Sequence, residues 1–228
     1  MREKYDHLRY ELKFLLSHYA AELVEKRLSA VMAHDRNADG RGGYFIRSLY
    51  FDDQQWTAYR DKLAGVEKRA KYRIRFYNHD DSFLSFEKKE KLRDMTRKTG
   101  VRIDRALAER MIANGDIAGR EEDLLREFAA LYRGGLRPRV LLDYDRTVFV
   151  HPLGNTRVTL DRAVRSAPYK TELFDPGLCT LPVLPEGQCV LEVKYDKIIP
   201  SFIPRLLEGI PKDRSSVSKY CRCLSIGE

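Results

Sequence analysis

Lysine and arginine recur at every second residue in several short segments, and a glutamate shares their face in most of them. KYRIRFY (71–77) sets Lys71, Arg73, Arg75 and Tyr77 on one side of an extended chain and Tyr72, Ile74 and Phe76 on the other. SFLSFEKKEK (82–91) opposes Ser85, Glu87, Lys89 and Lys91 to Leu84 and Phe86. Between Leu8 and Phe14, Arg9, Glu11 and Lys13 face away from Leu8, Tyr10, Leu12 and Phe14. In QCVLEVKYD (188–196), Gln188, Glu192 and Lys194 oppose Leu191, Val193 and Tyr195, with Val190 interrupting the alternation. Arginine grips phosphate oxygens bidentately and lysine supplies point charges. Carboxylates are hard oxygen ligands for a divalent cation that bridges phosphates. The chemistry these types can do together is to hold a phosphate-rich polyanion with a metal ion.

Other chemistries find less support. The five histidines contain no His-x-x-x-His pair. Gly40-Arg41-Gly42-Gly43 lacks the Gly-Lys-Ser/Thr ending of a phosphate-binding loop and reads as a turn. Cys179, Cys189, Cys221 and Cys223 form neither a secreted disulfide framework nor a zinc-ligand pattern, so reduced thiols are expected.

Strands must carry the charged faces. The segments 8–14, 44–51, 71–77, 82–91, 97–103, 138–150, 156–164 and 188–196 have strand patterning, and Asn78 to Asp81 reads as the turn of a hairpin. Ser17 caps a helix over HYAAELVEKRLSAVMAH, a short helix surrounds Trp56, Tyr59 and Leu63, and residues 104–133 form a helical insert ended by glycines. PSFIPRLLEGI begins a short helix, and SSVSKYCRCL reads as a last strand. The fold class is α+β, with an antiparallel sheet of about eight strands large enough to close and no linker within residues 1–228.

A charged strand face is ordinarily solvated surface. Here several strands carry i, i+2 cations, and their opposite faces are rich in aromatic and aliphatic residues suited to packing under helices. Closing such a sheet gives a tunnel-like barrel with a basic lumen and helices outside. The chain has 228 residues, 42 Lys and Arg against 34 Asp and Glu, and a net charge of +8. Apolar residues at 43% exclude a disordered chain, and no apolar run spans a bilayer. The charged N-terminus lacks a signal core, which points to a cytoplasmic protein. Nucleic-acid binding would need cations on an outer face, and these fall on the inferred inner one.

In order along the chain, RYELKF (9–14), SLYFD (48–52), KYRIRFY (71–77), FEKKEK (86–91), YDRTVF (144–149), RVTLD (157–161), LEVKY (191–195) and SKY (218–220) resemble the VTC-type polyphosphate polymerase domain, a branch of the triphosphate tunnel metalloenzymes, the CYTH-like superfamily. The resemblance implies an eight-stranded antiparallel tunnel lined with Arg and Lys. It implies phosphate-chain contacts for Lys13, the paired Arg73 and Arg75, Lys89 with Lys91 further along, and Tyr144 with Arg146. Arg97 or Lys98 corresponds to a basic tunnel residue after the hairpin. Arg157, Lys194 and the Ser218–Lys219 pair complete the phosphate set. Glu192 matches the metal-binding carboxylate, and Glu11 and Glu87 either join it or pair with tunnel cations. Where the wider superfamily reads Glu-x-Glu-x-Lys, this chain reads Arg9-Tyr10-Glu11-Leu12-Lys13, and the missing carboxylate favours the polymerase branch over the hydrolytic one. Lys88 replaces an apolar outward residue, which places it at the exterior or the mouth.

The expected reaction is transfer of the ATP γ-phosphoryl group to a growing polyphosphate chain, with Mn²⁺ or Mg²⁺ at Glu192. Hydrolysis of triphosphate by the same ligands, and binding of polyphosphate or nucleotide without turnover, stay open as alternatives. Vectorial synthesis would need a separate membrane partner, and the sequence does not fix oligomeric state.

Overall fold

The computed structural model describes residues 8–40, 42–214 and 218–224. In chain order the elements are β1 (Arg9–Leu16), α1 (His18–Ser29), β2 (Ala33–His34), β3 (Gly43–Asp52), α2 (Thr57–Leu63), β4 (Lys68–Tyr77), β5 (Asp80–Leu92), β6 (Met95–Ile103), α3 (Arg105–Asn114), α4 (Asp123–Arg133), β7 (Arg137–His151), β8 (Thr156–Pro168), β9 (Leu181–Pro182), β10 (Cys189–Tyr195), α5 (Phe202–Leu206), β11 (Asp213–Arg214) and α6 (Lys219–Leu224).

Local chemistry sets the boundaries. Ser17 accepts a hydrogen bond from the Ala20 amide at 3.3 Å and starts α1, and Asp104 accepts one from the Leu107 amide at 2.7 Å and starts α3. The β4–β5 hairpin turns through Asn78 and His79, both in the left-handed region at φ 51° and 57°. Helix α3 ends at Gly115, φ 74°, where a Cβ would lie 2.3 Å from the Tyr132 ring of α4, so only glycine permits this approach of the two helices.

The strands pair in the order β7-β3-β4-β5-β6-β1-β10-β8, and β8 returns to pair with β7, so eight strands form a closed ring. Every pairing is antiparallel, and successive strands around the ring run in opposite directions along the barrel. The two-residue strands β2, β9 and β11 flank β7, β8 and β1. The expected α+β tunnel with helices outside is the observed fold, without a free edge along the ring.

Apolar cores lie between the wall and the helices. Phe51, Tyr72 and Phe86 pack outward beneath α3 and α4, where Phe128 meets Phe51 and Phe86 with ring centroids 5.2 and 4.9 Å apart. Phe14, Leu191 and Val193 pack beneath α1 and α5. A third cluster includes Leu142, Val190 and residues of α6.

The C-terminal segment corrects an expectation. Residues 219–224 are a helix, not a strand, and residues 215–217 lie outside the described set. Buried Tyr220, Cys221, Cys223 and Leu224 fill the third cluster, and Lys219 enters the lumen from the start of the helix. All four cysteines are free thiols. Among the described residues no helix is long and apolar enough to cross a membrane.

Candidate functional site in the barrel lumen

Cross-strand register decides which side chains share the lumen, because residues directly opposite in a pair point the same way. Tyr50 stands opposite Arg73, Ser48 opposite Arg75, Arg73 opposite Glu87, and Lys89 opposite Lys98. Lys13 stands opposite Glu192, Glu11 opposite Lys194, and Arg146 opposite Asp161. Around the closed ring these pairs line one interior.

Two carboxylate-centred networks organise it. Glu192 receives Lys13 Nζ and Lys219 Nζ, each at 3.0 Å, and Lys194 Nζ at 2.9 Å, with Arg146 Nη2 at 3.7 Å. Asp161 binds the Arg146 guanidinium bidentately at 2.6 and 2.7 Å and also pairs with Lys219. In the second network Glu87 takes Arg73 at 2.6 Å and Lys98 at 2.7 Å, while Arg73 donates to Tyr50 Oη at 2.7 Å. Glu11 joins the first network through Lys13 at 3.0 Å and also takes Lys89 at 2.7 Å. Arg75 bonds no carboxylate closely; it donates to Ser48 Oγ at 2.9 Å and Tyr144 Oη at 2.8 Å.

These acids are buried, yet Lys98 and Lys89 keep side-chain exposures of 44% and 32% although they face inward. The lumen is therefore open to water around cations whose counter-ions sit deeper in the wall. Burial works against ionisation of Glu11, Glu87 and Glu192, but the surrounding cations outweigh it and hold these carboxyls well below the usual range. Burial dominates for Lys62, Lys71, Lys89 and Lys194, whose ammonium groups are all pushed down. The Lys194 ammonium is pushed down to about 7, with Glu192 and Glu11 offsetting part of the effect. Lys71, whose partners are Ser218 Oγ at 2.9 Å, Cys221 Sγ at 3.6 Å and the Tyr220 ring, falls to about 8.

A divalent cation fits this donor set in one place. Among the described residues no group of three or more His, Cys, Asp or Glu side chains converges, so the protein offers no complete cage. Glu11 Oε1 is buried with the Lys13 ammonium 3.0 Å away, and Glu192 stands on the other side of that same ammonium. Two carboxylates plus phosphate oxygens suffice for a small hard cation, which characteristically keeps few protein ligands.

The structure brings together Glu11, Lys13, Arg73, Arg75, Glu87, Lys89, Lys98, Tyr144, Arg146, Glu192, Lys194 and Lys219 on the lumen side. Lys91 lies on the same face of β5, toward the end of the barrel where Lys71 meets Ser218. Arg157 lies toward the opposite end, where it donates to Tyr44 Oη at 2.6 Å and pairs with Asp35 at 2.9 Å. Arg97 is a correction: it stands opposite Glu90 on the outer face and pairs with it at 2.8 Å, so of the two adjacent cations Lys98 is the lumen residue. Lys88 is outside as expected, bound to Glu127 of α4 at 2.6 Å.

Sequence reasoning missed Asp161, Tyr50 and Lys71 as members of the site. Asp161 shares alternation with Arg157 and Thr159 in RVTLD, and Lys71 shares that of Arg73 and Arg75, so both signals were present. Tyr50 gave none, because SLYF reads as a continuous apolar run.

Comparison with known proteins gives the same fold. A candidate adenylate cyclase from Bacillus halodurans superposes with a TM-score of 0.56 at 13% identity, over 94% of this chain and 95% of that one. A candidate adenylyl cyclase from Hippeastrum, described as having a dominant triphosphatase activity, superposes with a TM-score of 0.55 at 18% identity, over 96% of this chain and 95% of that one. At these identities the likeness concerns the fold alone. No curated protein matches the sequence. The model of the VTC domain matches residues 8–226, nearly the whole tunnel and the helices around it, and the chain belongs to the VTC domain family.

Proposed function

We propose that residues 1–228 act as a single tunnel domain that transfers the γ-phosphoryl group of ATP to a growing polyphosphate chain. The observation that carries this reading is the lumen itself, where the water-accessible Lys89 and Lys98 and the buried Arg75 and Arg146 surround a line of buried carboxylates. Phosphoryl transfer needs positioning and charge neutralisation more than a protein nucleophile, and a terminal phosphate of polyphosphate can serve as acceptor.

Arg73, Arg75, Lys89 and Arg146 clamp the triphosphate in this account. Lys13, Lys194 and Lys219, already gathered at Glu192, turn toward phosphate oxygens as the anion enters. Tyr144 holds Arg75 in place through its hydroxyl. Glu192, with Glu11, would hold Mn²⁺ or Mg²⁺. Such an ion, when bound, supplies further neutralisation of the phosphate oxygens. Lys91, Lys98, Arg157 and Ser218 extend the contacts along the tunnel. Arg97 has no part, since it faces outward. A cytoplasmic location, where ATP is present, and a separate membrane partner for export belong to the same reading.

Hydrolysis is the second reading, favoured by the triphosphatase activity described for the Hippeastrum protein of the same fold. Incubation with ATP and Mn²⁺ or Mg²⁺, followed by separation of products by chain length, tests both. Long chains are the expected result. Orthophosphate alone would replace transfer with hydrolysis, and no turnover with retained tripolyphosphate binding would leave a binding module.

A further inference from the structure

Lys71 and Cys221 form an amine–thiol pair for which phosphoryl transfer has no use. Lys71 takes the lumen position of β4 two residues before Arg73, and Cys221 is buried in α6, 150 residues further along the chain. Lys71 Nζ lies 3.6 Å from Cys221 Sγ, 2.9 Å from Ser218 Oγ and 4.5 Å from the centroid of the Tyr220 ring. Ser218 Oγ also accepts from the Cys221 amide at 3.4 Å, so one hydroxyl ties the two groups together. Lys13, Lys89, Lys98, Lys194 and Lys219 all pair with carboxylates, whereas among the described residues no carboxylate pairs with Lys71.

This arrangement suits oxidation chemistry. An ammonium beside a sulfur favours the thiolate, which is the form that peroxide oxidises. Burial pushes the Lys71 ammonium down to about 8, which leaves a share of neutral amine with a lone pair for attack. The amine, and not a second thiol, is the group placed to trap an oxidised sulfur. Cys223 lies two residues on in α6 and so points to nearly the opposite side of the helix. Its thiol is hydrogen-bonded with Ser166 and pushed up to about 12 by burial. Cys189 belongs to the cluster beneath α1 and α5, and Cys179 is exposed on the connection between β8 and β9.

We propose that Lys71 and Cys221 form a peroxide-driven modification site, at which a reversible sulfenamide bond joins β4 to α6. The Cys221 thiolate takes one oxygen from hydrogen peroxide and becomes a sulfenic acid, and the hydroxide released takes a proton from the Lys71 ammonium. The neutral Nζ then attacks Sγ. The N–S bond forms as the S–O bond breaks, and the hydroxyl leaves with an amine proton as water. In sum the sulfur is oxidised by two electrons and one peroxide is reduced to two waters. The flexible lysine stem closes the remaining distance. A sulfenamide nitrogen carries no positive charge at neutral pH, so the lumen loses a cation while α6 becomes tied to the wall. Weaker anion binding follows, and that consequence, unlike the bond itself, rests on reading the lumen as the phosphate site.

Treatment of the full chain with hydrogen peroxide at mildly alkaline pH, followed by intact-mass measurement and peptide mapping, tests the site. The expected product is lighter by two hydrogen atoms, joins the Lys71 and Cys221 peptides, and returns to the starting mass with dithiothreitol. Cys221→Ser and Lys71→Arg, each with the circular dichroism of wild type, should give none of it. Cys223→Ser should give as much as wild type, which separates the product from a disulfide of the same mass. Calorimetric titration of tripolyphosphate should show affinity several-fold lower for the bonded protein, restored by dithiothreitol. A Cys221 that stays reduced, proceeds only to the heavier sulfinic and sulfonic acids, or joins another cysteine would overturn the site. An N–S bond with unchanged tripolyphosphate affinity would overturn its effect on binding. If neither oxidised nor reduced protein binds tripolyphosphate, the lumen reading falls while the bond stands.

Discussion

Lys13 Nζ lies 3.0 Å from a carboxylate oxygen of Glu11 and 3.0 Å from one of Glu192. A single ammonium thus holds apart two acids that would otherwise face each other in a buried wall. The same contact explains how a basic tunnel survives without ligand: its cations are not facing one another alone, because Glu11, Glu87, Asp161 and Glu192 serve as built-in counter-ions. An incoming polyphosphate competes with these acids for the cations, and the wall carboxylates become available as it does so.

Removing that ammonium should be costly. Lys13→Met leaves Glu11 and Glu192 without the charge between them, and breaking a buried pair by deleting one partner typically costs about 3–5 kcal/mol. Urea unfolding followed by circular dichroism should show a loss of that order. A stability equal to wild type would mean that the ion pairs around Lys13 are solvent-screened.

Glu192→Gln keeps the shape of the side chain and removes the charge that three lysines share. The variant should fold, bind tripolyphosphate at least as tightly as wild type without metal, and lose most of its dependence on Mn²⁺ or Mg²⁺. Turnover with the wild-type metal dependence would contradict the assignment of Glu192 as a metal ligand.

Arg97 and Lys98 are neighbours in sequence on opposite faces of β6. Lys98→Ala should weaken tripolyphosphate binding roughly tenfold, about the 1.4 kcal/mol of a modest charge-assisted contact. Arg97→Ala should change it less than twofold, roughly what a cation outside the binding face contributes. Comparable losses in fluorescence or calorimetric titrations would mean that the β5–β6 register differs from the one described.

The alternation of KYRIRFY and FEKKEK made the β4–β5 hairpin and its polar face legible, because a strand with one helix-covered side must separate apolar from charged residues. Alternation could not choose between Arg97 and Lys98, since both are cations; only Glu90 across the strand pair settles which points out. The C-terminal helix was hidden for a related reason. Lys219-Tyr220-Cys221-Arg222-Cys223-Leu224 alternates almost as a strand would, and its helical form follows from packing against β7 and β8. Asp161 was legible by spacing and passed over because its role depends on Arg146, fifteen residues away in sequence and directly opposite in space.

Lys71 should make anion binding pH-dependent. Its ammonium is buried among Ser218, Cys221, Tyr220, Tyr50 and Lys13, with its pKa depressed to about 8. A cation with a depressed pKa is charged below that value and neutral above it, so its attraction for phosphate is present at about pH 7 and lost by about pH 9. Tripolyphosphate affinity should fall several-fold across that window, with proton uptake on binding near pH 8. Lys71→Met should flatten the step, and an unchanged profile in that variant would place the titration elsewhere.

The central claim is that the inward cations of the closed barrel form the phosphate site, and Arg73 and Arg75 test it most directly. Titration calorimetry of tripolyphosphate against wild type, Arg73→Ala and Arg75→Ala, with cooperative thermal unfolding verified for each, should give saturable binding to wild type. In either variant the affinity should drop by about a hundredfold or more, near 3 kcal/mol. Wild-type affinity in both folded variants would contradict the account.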